Sequence, residues 1–298
     1  MSAGTTSKAP GILPSYGKAA LAALPVAGKL PFLPGGGGPL PQKELTLTGA
    51  TLPPSTIKQL RNLTEDKSGP DAPLLLPHFI AFPLHMQGMT DGSFPYPAMG
   101  TVHLDNLVER HKIVSSAEPL DIGVRFLGPF PHKKGATYQI ETTAAAGGEV
   151  IWRELSTMLR IGAKAGKDAE AQPALQVATA DEAPESATVA EWSAAPDLGR
   201  QWAGASGDRN PIHLNNLTAK AFGFPRAIAH GMWTAARIAS ELQSDLPEAV
   251  SLAVSFQKPV LLPAKIALRS WADGASTDLL VTSAAGDRIH ARGRVTPL

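Results

Sequence analysis

Two short patterns each occur twice in this chain, in the same order. Residues 92–100, GSFPYPAMG, parallel residues 223–231, GFPRAIAHG, with the second copy one residue longer between Phe-Pro and the final Gly. Downstream, VRFLGP (124–129) is answered by VSFQKP (254–259). In both, an alternating strand ends at Phe and Pro follows three positions later. A further strand then begins after a short connector, TYQIETTA (137–144) in one copy and KIALRSWA (265–272) in the other. Two matched pairs in one order imply an internal duplication. The fold must therefore be built from a unit that works as a pair.

The second copy reads as one helix followed by strands. Residues 230–243, HGMWTAARIASELQ, put Met232, Ala235, Ala239 and Leu242 at helical spacing. The alanines among them let a helix sit deep against a sheet. Residues 250–256, 265–272, 277–284 and 288–296 read as strands, separated by turn signals at Pro259, Pro263, Asp273-Gly274 and Gly286-Asp287. The first copy shows matching strands at 101–113, 121–127, 136–144 and 149–161. Its helix, over 74–91, is poorer, with Pro77 and Pro83 inside it. One helix wrapped by consecutive antiparallel strands is an α+β arrangement. Between the copies, residues 163–190 are rich in Ala, Asp, Glu, Lys and Pro and read as a linker. The expected organisation is an N-terminal extension over 1–44, a first domain over 45–162, the linker over 163–190 and a second domain over 191–298.

No stretch reaches the ~18 consecutive apolar residues that a spanning helix needs. Residues 16–34, YGKAALAALPVAGKLPFLP, have the Lys-then-apolar order of a secretory leader, but Pro25 and Lys29 break the run. They read instead as a short amphipathic helix over 17–24, followed by a flexible connector at Gly35–Gly38. The expected location is the cytoplasm. Apolar residues make up 43% of the chain and charged ones 18%, which excludes a mainly disordered protein. Lys+Arg (27) and Asp+Glu (26) nearly cancel, without the clustered basic run that nucleic acid requires. Trp152, Trp192, Trp202, Trp233 and Trp271 are too scattered for a base-stacking platform. With no cysteine, disulfides, thiolate metal sites and cysteine nucleophiles are impossible. His78, His85, His103 and His111 lack metal-ligand spacing, and no metal is expected.

The chemistry points to SGDRNPIH, residues 206–213. Gly207 permits a positive φ. Asn210-Pro211 disfavours a helix at Asn210 and suits a helix start at Pro211. The segment thus crosses from a loop into a short helix running to about residue 222, and the turn can bring Asp208 and His213 to one side. A continuous helix would set positions five apart at diverging angles of about 140°. A converging carboxylate and imidazole can polarise a water and shuttle its protons. Read structurally instead, Asp208 caps the helix and His213 satisfies a local carbonyl. The second feature is AHG (229–231), which opens the long helix. The unpaired N–H groups of a helix start suit a developing oxyanion, and Gly231 leaves that approach open. Arg226 and Arg237 are weaker candidates for a phosphate, and His132-Lys133-Lys134 reads as an exposed turn.

The run WAGASGDRNPIHLNNLTA (202–219) resembles the hydratase-2 motif of the MaoC-like family, through Gly207, Asp208, Asn210, Pro211, His213 and Ala219. FGFPRAIAHGMWTAA (222–236) and FQKPVLLP (256–263) fit it too. Trp202 stands where the family usually has Tyr or Phe, and Ala205 where a larger aliphatic is common; both concern packing. The resemblance implies a double hot-dog fold, covers about residues 45–298, and makes the first copy a degenerate hot-dog. That copy lacks GDxNPxH and has Met99-Gly100 where the second has His230-Gly231. It further implies reversible hydration of trans-2-enoyl thioesters to (R)-3-hydroxyacyl thioesters, on CoA or acyl carrier protein, in fatty-acid metabolism. Asp208 and His213 would be catalytic, with the division of proton transfers between them open. The Gly231 N–H would be the oxyanion donor, and Asn210 and Ser206 would orient the pair. No cofactor is expected. Two fused hot-dogs already satisfy the usual pairing, so monomer and homodimer both stay open. Two other functions would use the same acyl pocket. A thioester hydrolase needs water aimed at C1 instead of C3, which the GDxNPxH loop argues against. A non-catalytic acyl-thioester-binding subunit would fit a chain lacking Asp208 or His213.

Overall fold

The computed structural model describes residues 4–6, 8–22, 39–166 and 169–298. The first part of the chain carries β1 (Gly4–Thr6), α1 (Ile12–Ala22), β2 (Leu45–Ala50), α2 (Pro54–Thr64), α3 (Leu76–Met89), β3 (Thr101–Arg110), β4 (Leu120–His132), β5 (Gly135–Ala146) and β6 (Glu149–Ile161). The rest carries β7 (Thr188–Ala194), α4 (Leu198–Ser206), α5 (Pro211–Leu214), α6 (Asn216–Ala221), α7 (Gly231–Glu241), β8 (Val250–Phe256), β9 (Ala264–Asp273), β10 (Ser276–Ser283) and β11 (Ile289–Pro297). The helix expected over 17–24 begins earlier, at Ile12; residues 23–24 and the tetraglycine lie outside the described residues. Described residues fall into two compact units, neither contiguous in sequence. One draws on 1–51, 77–104 and 118–173, the other on 52–76, 105–117 and 174–298.

In the first unit β1 runs parallel to β2, and β2, β4, β5 and β6 follow in antiparallel order. β4 continues past the expected end at 127. Its ladder with β5 shifts register between Leu127 and Phe130 and closes at His132 opposite Gly135, with Lys133 and Lys134 exposed at the turn. α3 is the long helix here, with Pro83 inside it. An internal Pro costs a helix about 3 kcal/mol, and burial of Phe79, Ile80, Ala81, Leu84 and Met86 offsets that. Two imidazoles are buried with them. His78 Nδ1 lies 2.9 Å from Glu154 Oε2, and His85 Nε2 lies 2.7 Å from Thr142 Oγ1. Burial pushes His85 down to about 3, helped by the neighbouring His78.

In the second unit the strands run β3, β8, β11, β10, β9, β7, antiparallel throughout. β3 enters this sheet with Asp105 opposite Ser255 and Arg110 opposite Val250. Alternation along β8 buries Val250, Leu252 and Val254 on one face. α7 is buried from Met232 to Ala239, with Ala235, Ala236 and Ala239 allowing the close approach its sequence promised. α2, from the first half of the chain, packs against α4 and α7. The Trp233 Nε1–H donates to the Leu63 carbonyl at 2.9 Å, and Arg237 pairs with Glu65 at 2.9 Å. Part of the Ala-rich segment is tied down as well: the Ala178 N–H donates to the Gly293 carbonyl, and β7 begins at Thr188.

Candidate active site

The site is built where α4 ends and α5 begins. α4 stops because Gly207 takes φ 81°, a left-handed conformation that favours glycine. The chain then turns so that the Asp208 carboxylate accepts the Asn210 N–H at 3.0 Å, an Asx turn. The Asp208 N–H in turn donates to Ser206 Oγ at 3.2 Å, and Ser206 Oγ–H donates back to the Trp202 carbonyl at 2.8 Å. The cap of α5 is Asn210, whose Oδ1 accepts from Ile212 N, with Pro211 in the first turn. Asp208 is therefore not the cap of α5, and its Oδ2 lies 3.8 Å from His230 Nε2.

The helix expected from Pro211 to about residue 222 is in fact two. Asn215 is extended, at φ −160° and ψ 166°, and its side chain accepts the Thr218 N–H at 2.9 Å to start α6. A second capping Asn interrupts the helix two residues after His213. α4 crosses this turn at very short range. A Cβ on Gly199 would sit 1.9 Å from the His213 carbonyl oxygen, so only glycine lets the two backbones meet.

His213 is buried, and its Nδ1 donates to the Ile228 carbonyl at 2.8 Å. A carbonyl only accepts, so the neutral ring carries its hydrogen on Nδ1 and keeps a lone pair on Nε2. Burial holds His213 below the usual histidine range, against the opposing pull of Asp208 and the Ile228 carbonyl. Asp208 is 31% exposed, which leaves the carboxylate open to water. Gly231 is the first residue of α7, so its N–H has no intrahelical acceptor. A Cβ there would meet the Phe256 ring at 3.2 Å.

His230, the cap residue of α7, escaped the sequence reading as a member of the site. It is 2% exposed and stacks on His213, with ring centroids 3.6 Å apart. Its Nε2 lies 3.1 Å from the Asp208 carbonyl oxygen and 3.8 Å from Asp208 Oδ2. Burial, then the adjacent His213, pushes it down to about 3. The available signal was the imidazole in AHG, where the first copy has Met99. Asp208, His213 and His230 each offer a potential ligand atom, all within 4.8 Å of one another. The two rings are only 25° from parallel, so their in-plane lone pairs run side by side, whereas tetrahedral zinc needs them to converge. Arg237 is no phosphate site: it is buried, paired with Glu65 and Glu241, and lies over the Trp192 ring. Arg226 is exposed.

A duplicated sheet-and-helix chain with an acid–imidazole loop beside a helix start defines a class, and the chain belongs to it: the MaoC-like family. The MaoC like domain model matches residues 164–287. The fold is an α+β double hot-dog. Among individual proteins, the chain is 31% identical to 3-hydroxyacyl-thioester dehydratase X of Mycobacterium tuberculosis, over 91% of this chain and 95% of that one. A crystal structure of HtdX from the same organism aligns with TM-score 0.73 at 29% identity, covering 86% of this chain and all of the other. A MaoC-like dehydratase from Phytophthora capsici shares the fold, with TM-score 0.72 at 18% identity over 87% and 96% of the two chains.

Proposed function

We propose that this hydro-lyase interconverts trans-2-enoyl thioesters and (R)-3-hydroxyacyl thioesters, carried on CoA or acyl carrier protein, in fatty-acid metabolism. One observation carries the reading. A single turn gathers a water-accessible carboxylate, Asp208, and an imidazole, His213, whose Nδ1–H is committed to a carbonyl and whose Nε2 is left as a base. In hydration, Asp208 and His213 hold a water. That water attacks C3 as one of the pair takes its proton, and C2 is protonated on the same face. The Gly231 N–H receives the thioester oxygen as enolate charge develops. Asn210 and Ser206 orient Asp208 through the bonds already described. The reaction moves a hydroxyl and a proton and transfers no electrons, so side chains suffice.

The duplicated domains are proposed at 45–162 and 191–298, joined by 163–190 and preceded by 1–44, with one active site in the second. The M. tuberculosis relative, named for dehydrating 3-hydroxyacyl thioesters, supports the same substrate class. The test is an assay of crotonyl-CoA, and of the same acyl group on acyl carrier protein, for loss of enoyl absorbance against release of free thiol. Absorbance loss giving only the (R)-hydroxy product is expected. Thiol release without hydration would replace this reading with hydrolysis, and acyl-CoA binding without either would make the chain a binding subunit.

A further inference from the structure

The reaction scheme above uses Asp208 and His213 and leaves His230 without a task, yet His230 is the most enclosed of the three. Its hydrogen-bond pattern is informative. Nε2 faces the carbonyl oxygen of Asp208, which can only accept, so the neutral ring carries its hydrogen on Nε2. Nδ1 is then a buried lone pair without a hydrogen-bond partner among the described residues. His213 has the opposite arrangement, with hydrogen on Nδ1 and the lone pair on Nε2. The two rings lie face to face with complementary tautomers, each fixed by a main-chain carbonyl. In the copy that lacks GDxNPxH the matching position is Met99, which can do neither.

On the reading under "Proposed function", we propose that His230 is a positioning residue of this active site. It ties the Asp208 main chain to the start of α7 through its Nε2–H, and by lying flat on His213 it keeps that ring oriented and uncharged. The tie matters because the bonds of Asp208 to Ser206 and Asn210 are local, whereas the bond to His230 reaches a different element. The stack matters because a charge on His213 would sit 3.6 Å from a second ring in a site closed to water on that side. The groups facing His213 are Asp208, from the loop after α4, which favours the charged ring, and the Ile228 carbonyl, which does the same. His230, from the start of α7, is the other titratable group against the ring, and it is itself held uncharged by burial and by its neighbour His213.

The test begins with the intact chain and its histidine ring nitrogens. Long-range ¹H–¹⁵N correlation spectra at neutral pH should show both rings neutral, with hydrogen on Nδ1 of His213 and on Nε2 of His230. Hydrogen on Nδ1 of His230 would overturn the tie to Asp208. Two variants then separate the roles. His230→Phe keeps a flat ring over His213 and loses the donor. It should lower kcat by roughly tenfold to a hundredfold, the size of loss that misplacing a reacting group brings, with KM changing less. His230→Gln keeps a donor for the Asp208 carbonyl and loses the ring. It should recover part of kcat and move the acid limb of kcat/KM to higher pH by about half a unit or more, since that limb reports the free enzyme's base. Folded variants with unchanged kcat and an unmoved acid limb would reduce His230 to packing. If the intact protein hydrates no enoyl thioester on either carrier, the functional reading fails. The His213 titration followed by NMR, intact chain against His230→Gln, then decides the role of His230 by itself.

Discussion

Asp208 and His213 share one turn and, on the proposed mechanism, one water. Asp208→Asn keeps the shape and the oxygen that accepts the Asn210 N–H, but the amide cannot accept a proton. The expected outcome is a folded protein with kcat reduced at least ~10²-fold, the usual size of an acid–base contribution. A folded variant with full turnover would confine Asp208 to its Asx turn. His213→Ala should lose a similar amount, and the double variant little more than either single one, because groups acting on one water are not additive. Multiplying losses in steady-state kinetics would count against the shared water. Asp208, Asn210 and His213 were legible because their backbone demands are local: Gly207 for the positive φ, and Asn210-Pro211 for the helix start. His230 was not, because its role depends on a stacking partner seventeen positions away and on a carbonyl, and neither leaves a mark in residue spacing.

Elements with a clear period were readable, and those set by tertiary contact were not. The helix around 230–243 and the strands β8 to β11 follow from spacing and turn residues. The break at Asn215 was missed because a side-chain cap there competes with helix continuation, and propensity does not decide that contest. α2 and α4 are amphipathic surface helices whose significance appears only where they meet α7 and α5. Gly199 makes the point testable. Placing a Cβ 1.9 Å from the His213 carbonyl oxygen forces α4 or α5 to move. Gly199→Ala is therefore expected to destabilise the fold by at least the ~1–3 kcal/mol of an overpacked contact, and to lower kcat by displacing His213. Gly204→Ala, in the same helix, is the control, since its Cβ would have only Gln59 Nε2 nearby, at 3.8 Å. That change should be neutral or stabilising by about 0.5–1 kcal/mol. Thermal melts and kinetics of the pair check this, and equal behaviour of the two would show that α4 does not hold the site.

At the scale of the molecule the duplication was legible, and the compact units draw on segments from both halves of the sequence. Residues 52–76 and 105–117, from the first half of the sequence, belong to the compact unit that holds the site. The buried imidazoles make the native state sensitive to acid. His85 and His230 are held near 3 when folded, whereas an unfolded histidine titrates near 6.5. Between those values the unfolded chain binds protons that the native one does not. This contribution to stability is therefore fully present above about pH 6.5 and is lost progressively as pH falls toward 3. Melting temperature should decline over pH 6.5 to 4.5, less steeply in His85→Gln, which can keep a bond to Thr142; an equal slope would mean His85 is not buried neutral. The interleaving gives a sharper prediction for the fragment 190–298. It contains Asp208, His213, His230 and Gly231, and by sequence alone it is a whole catalytic domain. It lacks β3, which covers β8 through the pairs from Asp105–Ser255 to Arg110–Val250, so a strand bearing Leu252 and Val254 becomes a bare sheet edge. It also lacks α2, leaving the Trp233 N–H without its Leu63 acceptor and the buried Arg237 without Glu65. Arg237 keeps Glu241, so the bare apolar edge is the larger loss, and the fragment should aggregate or stay unfolded by size exclusion and circular dichroism. Co-expression with residues 1–189 should restore a soluble complex with activity. A monomeric, cooperatively unfolding 190–298 fragment would show that the second copy stands alone and that the exchanged segments are accessory.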